Sequence, residues 1–287
     1  MKKRIWRRIA FIAGILAMLL CAEIYRSSHL LTVTNYQLHC GKLTAPVRIV
    51  QLTDLHNARF GPENAALLEA VAEQEPDLIL FTGDLVTGHV RETDTAMNLM
   101  EKLVEIAPVY VSVGNHEQMH EQNFGTDLTD LFTAAGATAL EYDWVDIDVR
   151  GQALRIGGVS GYCVPEIYLS TGEADPAECA FLADFQDTDR CELLMAHMPL
   201  SWLWYGGISR WDSDFVFSGH AHGGQVILPG FGGVYAPDMG FFPGDLEGIF
   251  PSADGQKHLI LSTGLGNSAP IPRFNNPPQI LVLDIVP

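Results

Sequence analysis

The sequence predicts an α/β protein in which two β-sheets pack face to face with helices outside them, a four-layer α/β/β/α sandwich behind an N-terminal transmembrane anchor. Three observations predict this. Short apolar or β-branched runs recur along the chain, each followed at once by a polar cluster. Helical stretches separate the first runs, which makes strand–helix–strand units. The N-terminus has a basic-then-apolar composition found nowhere else in the chain.

That N-terminal segment comes first. Lys2, Lys3, Arg4, Arg7 and Arg8 precede an apolar run from Ile9 to Ala22, closed by Glu23. A membrane span needs about 20 apolar residues, which the run approaches when Ile5, Trp6, Ile24 and Tyr25 sit at the interfaces. A cleaved signal peptide is the rival, but Leu20-Cys21-Ala22 is a poor match to an A-x-A cleavage site. Residues 1–28 are therefore read as an uncleaved anchor. The basic flank places the N-terminus in the cytoplasm and the rest on the extracytoplasmic side.

After the anchor no Pro/Gly/Ser-rich linker, charge block or repeat divides the chain, so residues 31–287 are read as one catalytic domain. Its first strands are Val47–Gln51, Leu78–Phe81 and Val109–Val113. Helices are expected between them at Asn64–Glu73, before Pro76, and Thr93–Ile106, before Pro108. Trp144–Val149 and Leu154–Val159 flank Arg150-Gly151-Gln152-Ala153 as a hairpin. Leu193–Met195, Phe215–Phe217, His258–Ser262 and Gln279–Ile285 supply the remaining strands.

Composition limits the function. The formal net charge is −18, which repels nucleic-acid backbones, so no nucleic acid partner is expected. Cys21, Cys40, Cys163, Cys179 and Cys191 show no C-x-x-C spacing and do not read as metal ligands. In an exported domain two of the last four can pair, though the sequence does not say which. A buried thiol is the plainer reading for Cys191, which lies inside an apolar run.

The polar clusters carry the chemistry. They are D-x-H at Asp54 and His56, G-D at Gly83-Asp84, G-N-H-E at Gly114-Asn115-His116-Glu117, a lone His197, and G-H-x-H at His220 and His222. Mixed carboxylate and imidazole donors without thiolates suit Mn, Fe or Zn. The glycines beside Asp84, Asn115 and His220 allow sharp turns or close approach.

In residue type, order and position after strands, this set resembles the calcineurin-like metallophosphoesterases over nearly all of residues 45–287. The resemblance implies two divalent metal ions. One is held by Asp54, His56, Asp84 and His222, the other by Asp84, Asn115, His197 and His220. Asp84 bridges them together with a hydroxide that attacks phosphorus. It also implies that His116 faces the leaving-group oxygen, with Glu117 orienting its ring. Protein Ser/Thr phosphatases follow G-D with an Asp-Arg pair; here Leu85-Val86-Thr87-Gly88 follows, which argues against that branch. The segment from Gly219 through His222 to Gln225, and that from Gly264 through Arg273 to Pro278, look like the YkuE/YaeI-type bacterial branch of membrane- or wall-associated phosphodiesterases.

Substrate contacts are expected from Gln225 and from Arg273, for which a surface ion pair is the equal alternative. Trp202, Trp204 and Tyr205 are expected either to line an apolar cleft, the favoured reading, or to wedge into the core. His29, His39, His89, His120 and His258 read as solvated or loop histidines. The expected activity is hydrolysis of a phosphodiester or pyrophosphate on a lipid-linked, nucleotide or wall-polymer substrate. A phosphomonoesterase and a non-catalytic metal-binding scaffold are the alternatives.

Overall fold

The computed structural model describes residues 2–160, 176–244, 246–268 and 270–287, and the four-layer sandwich is borne out. A long helix α1 (Lys2–His29) leads into β1 (Thr32–His39). The first sheet then takes β2 (Val47–Leu52), β3 (Leu78–Thr82), β4 (Val109–Ser112), β5 (Thr138–Leu140) and the late strand β16 (Gln279–Val286). Its order is β1-β16-β2-β3-β4-β5. All its pairings are parallel except β16 with β2. The second sheet contains β6 (Asp143–Val149), β7 (Gln152–Gly158), β8 (Cys191–Met195), β9 (Phe215–Ser218), β14 (Gly248–Pro251) and β15 (His258–Leu261), in the order β14-β15-β9-β8-β7-β6.

Both faces of the central strands are buried, so they read as near-continuous apolar runs rather than alternating ones. Between the sheets lie Val47, Ile49, Leu80, Ile156, Leu193 and Phe217, among others. The outer face of the first sheet is covered by α2 (Ala65–Ala72), α3 (Asp94–Leu103) and α5 (Leu128–Ala134). Helix α3 shows why: Thr95, Ala96, Leu99, Met100 and Leu103 are buried at helical spacing, while Asp94 and Lys102 suit the two ends of the helix dipole. Helix α4 (Asn115–Phe124) follows β4, and α6 (Pro176–Phe185) packs on the second sheet.

Several expectations change. The hairpin turn is two residues, Arg150 and Gly151, both at positive φ, so Gln152 and Ala153 join the strand. Trp202 does not line a cleft. It lies on the short helix α7 (Leu200–Leu203), which is followed by α8 (Gly207–Arg210), and its ring packs into the core outside the second sheet while Trp204 is exposed. His120 is fully buried on α4 against Phe124. Cys191 is buried, as expected, beside Cys40 in the inter-sheet core; Cys163 lies outside the described residues.

Two small hairpins, β10 (Ile227–Leu228) with β11 (Gly232–Gly233) and β12 (Tyr235–Ala236) with β13 (Gly240–Phe241), follow the His222 loop. Helix α1 is exposed from Lys3 through Ala22 and touches the rest of the chain at its end. There Glu23 accepts from the Asn275 N–H at 3.1 Å, and Ser27 Oγ accepts from the Asn276 N–H at 3.2 Å.

Candidate metal centre

The polar clusters stand at the carboxyl ends of β2, β3 and β4 in one sheet and β8 and β9 in the other, where open parallel sheets place their ligands. Backbone hydrogen bonds continue past the strand ends and lace these loops together. The Asp54 N–H donates to Gly83 O at 3.0 Å, the His56 N–H to Asp84 O at 3.0 Å, and the Gly219 N–H to His197 O at 2.9 Å. Beneath them the Gln51 side-chain amide donates to Thr82 Oγ1 and to Ser218 O, tying the two sheets.

The local backbone is strained. Asp54, His56, Asp84, His220 and His222 all have φ between 48° and 64°, the left-handed region that costs a non-glycine residue about 1 kcal/mol or more. Gly83 has a φ of 90°, and a Cβ there would strike Gly114 and His197. Gly219 must be bare for a different reason: a Cβ would collide with Asp54 and Thr53.

The side chains converge. Asp54, His56 and His222 form one group of ligand atoms within 4.8 Å of one another; His56, Asp84 and His116 form a second; Asp84, His197 and His220 form a third. Asp54 Oδ1 lies 3.4 Å from His222 Nε2 and 3.8 Å from His56 Nε2. Asp84 Oδ2 lies 3.2 Å from His197 Nε2 and 3.6 Å from His56 Nε2. Asn115 Oδ1 is 2.9 Å from His220 Nδ1. All seven residues proposed from the sequence as metal ligands therefore meet at one place.

The donor set fits cations. His197 Nδ1–H donates to Thr82 O at 2.7 Å, so Nε2 presents its lone pair, and among the described residues that nitrogen has no hydrogen-bond partner. His220 faces an acceptor on each side, Asp238 Oδ2 at 3.0 Å from Nε2 and Asn115 Oδ1 at 2.9 Å from Nδ1. A neutral ring can donate to only one of them, and the unmet lone pairs are what a metal ion satisfies. His56 Nε2 and His222 Nε2 likewise approach to 3.2 Å.

Electrostatics agree. Burial raises the carboxyl pKa of Asp54 and Asp84, but the surrounding imidazoles outweigh it and hold both far below the usual carboxylate range. Burial lowers the pKa of His197, yet Asp84 and Asp54 outweigh it and raise it to about 10. The centre thus demands positive charge, which a proton supplies when no cation does. Burial instead lowers His222 to about 3 and His116 to about 4.

Three expected roles are corrected. Glu117 does not orient the His116 ring: its Oε2 accepts from the N–H groups of Asp84 and Gly114, both at 2.7 Å, and its Oε1 from that of Val86 at 3.2 Å. His116 is held by the Gly88 N–H, which donates to Nδ1 at 2.9 Å. Arg273 is neither on the surface nor free to meet substrate. It is 1% exposed, donates to Gly266 O and Thr263 O, and lies 3.3 Å from His222 Nδ1. Gln225 is also buried, and its amide donates to Ile271 O, bracing the neighbouring loop.

Sequence reasoning missed Asp238, which holds His220 from the turn between β12 and β13. The signal available was weak: it is the only charged residue between Val226 and Gly244. A fourth donor group, Cys40, Cys191 and Asp214, lies at the opposite ends of the strands, where the Lys42 ammonium already donates to Asp214 at 2.9 Å.

A strand-end centre of this composition defines a binuclear metallohydrolase, and the chain belongs to the calcineurin-like phosphoesterase family, whose model matches residues 47–224. It is a phosphoric ester hydrolase that uses two divalent metal ions. Among its relatives is phosphodiesterase YaeI of Escherichia coli, 28% identical over 249 residues, covering 84% of this chain and 83% of that protein. A metallophosphoesterase of Aquifex aeolicus is 28% identical over 287 residues, covering 94% and 97%. YkuE of Bacillus subtilis is 25% identical over 244 residues, covering 83% and 78%.

Proposed function

We propose that this chain is a membrane-anchored phosphodiesterase acting on a lipid-linked or wall-polymer phosphoester outside the cytoplasm. The observation that carries the catalytic reading is the sharing of Asp84 between two of the four donor groups, with His56 and His116 in one and His197 and His220 in the other. One cation is assigned to Asp54, His56, Asp84 and His222, the other to Asp84, Asn115, His197 and His220. When bound, the pair supplies Lewis acidity that polarises the phosphoryl oxygens and acidifies a water.

The chain's own residues do the rest. The backbone N–H of His116 donates to Asp84 Oδ1 at 2.9 Å, which leaves Oδ2 for ligation. The Gly88 N–H on Nδ1 of His116 fixes the ring proton on Nε2, beside His56 and Asp84. In this reading that N–H donates to the leaving-group oxygen. Glu117 fixes the turn that carries Asp84.

A diester is favoured over a monoester because a dianionic phosphate calls for a further cation, and Arg273 is committed to backbone carbonyls. The relative YaeI is named as a phosphodiesterase, which supports the same choice. Anchoring rests on α1, whose apolar surface is exposed and whose basic residues are concentrated at its start.

The test is metal content and turnover of the purified full chain on bis-p-nitrophenyl phosphate and p-nitrophenyl phosphate side by side. Faster diester hydrolysis is expected. A monoester preference overturns the diester assignment, and inactivity with Mn, Fe and Zn alike overturns the catalytic one.

A further inference from the structure

The exterior of this acidic chain is interrupted by an uncharged, aromatic surface. From Val226 to Gly244 the only charged side chain is Asp238, which is engaged with His220. The two small hairpins in this stretch expose Phe231 at 77%, Phe241 at 74% and Phe242 at 53%, and they also expose Leu228 and Tyr235, whose ring lies 5.1 Å from that of Phe241. Ile271, 58% exposed, stands on the neighbouring loop, which Gln225 ties to the start of this stretch through Ile271 O. Burying one such phenyl ring is worth about 1.5–3 kcal/mol, so a cluster left in solvent marks a contact surface.

The position of this surface identifies its partner. A hydrogen-bonded chain links it to α1: Glu23 and Ser27 accept from Asn275 and Asn276, and the Asn275 amide donates to Ile227 O. From there the Ile227 N–H donates to Phe274 O, Val234 to Val226 O and Phe242 to Val234 O. Glu23 and Ser27 stand one to five residues beyond the apolar run that ends at Ala22. At about 1.5 Å per residue, that fixes the loop some 2–8 Å from the apolar boundary, within the headgroup layer. Trp and Tyr are enriched at that depth, and Phe on the apolar faces that dip about 5–10 Å into the boundary with the acyl chains.

We propose that the two hairpins and Ile271 form a membrane-contact surface that sets Phe231, Phe241 and Phe242 into the bilayer crossed by α1. This rests on the anchor reading above. Asp238 stands in the β12–β13 turn with its side chain 42% exposed and 3.0 Å from His220 Nε2, so the turn of this hairpin borders the metal centre three residues from Phe241. A phosphoester carried by a membrane lipid then reaches the centre without leaving the bilayer, which narrows the substrate class to lipid headgroups and lipid-linked carriers.

The experiment uses the full chain in phosphatidylcholine nanodiscs, with Phe241→Trp and, separately, Phe231→Trp. Emission from the added indole is obtained by difference from the unsubstituted chain. Acyl-brominated phosphatidylcholine is expected to remove most of that emission, and iodide in the buffer to leave it nearly unchanged. Added emission quenched by iodide but not by bromine overturns the proposal. Protection from both quenchers also overturns it, since a protein face then covers the patch. Flotation of the chain with carbonate-washed vesicles reports the anchor separately: a chain that floats while its added indole stays open to iodide keeps the anchor and loses the surface, whereas one that does not float loses both.

Discussion

Glu117→Ala separates two roles for one carboxylate. Glu117 is 2% exposed and takes the N–H groups of Asp84, Val86 and Gly114. Removing it strands three donors in a buried turn, each worth about 1–3 kcal/mol when unsatisfied. Water entering the vacated space recovers part of this, so a net loss of about 3–5 kcal/mol is expected, at the upper end for single substitutions. In a chain of this size that is a fall in Tm on the order of 10 °C. The Asp84 turn, already held at a φ of 58°, loses its brace, so metal affinity falls with stability. Glu117→Gln keeps one acceptor oxygen and should lose less of both. The assays are chemical denaturation and metal titration of the same samples. If Glu117→Ala leaves stability and metal content intact and lowers only turnover, the bracing account is refuted and an action through His116 is restored.

Three further outcomes are expected. Asp84→Ala should empty both cation positions by elemental analysis, whereas His116→Ala should retain the metals and lose about 10²–10⁴-fold in turnover. Asp238→Ala should weaken metal affinity about 10–100-fold by freeing the His220 ring, with Asp238→Asn recovering part of it in the same titration. Arg273→Ala should destabilise the fold by about 3–5 kcal/mol in a denaturant titration, because two buried carbonyls lose their donor and a large buried side chain leaves a void.

What the sequence made legible was what depends on local order. Asp54, Asp84, Asn115, His197, His220 and His222 each follow an apolar run directly, and the strand ends bring them together. Strand β1 went unread because only alternate residues are half-buried along it, the pattern of a sheet edge. Asp238 lies 18 residues beyond His220 in a stretch without periodicity, and only tertiary folding joins the two. Arg273 looked like a surface cation because Lys and Arg are rarely buried, yet two carbonyls of the loop it closes give its guanidinium a dry place. The His116–Glu117 adjacency suggested a pair, but neighbours on a helix point apart.

The place of β16 in the first sheet has a consequence for biogenesis. This strand follows every other described strand in sequence, yet it lies between β1 and β2, pairing Val33 with Ile280 and Ile49 with Leu283. The sheet that carries Asp54 cannot close before β16 has been made and has left the ribosome. Such distant pairing also folds slowly. For the anchored chain proposed above, late closure keeps the polypeptide open enough for a translocon to thread after α1 has been engaged.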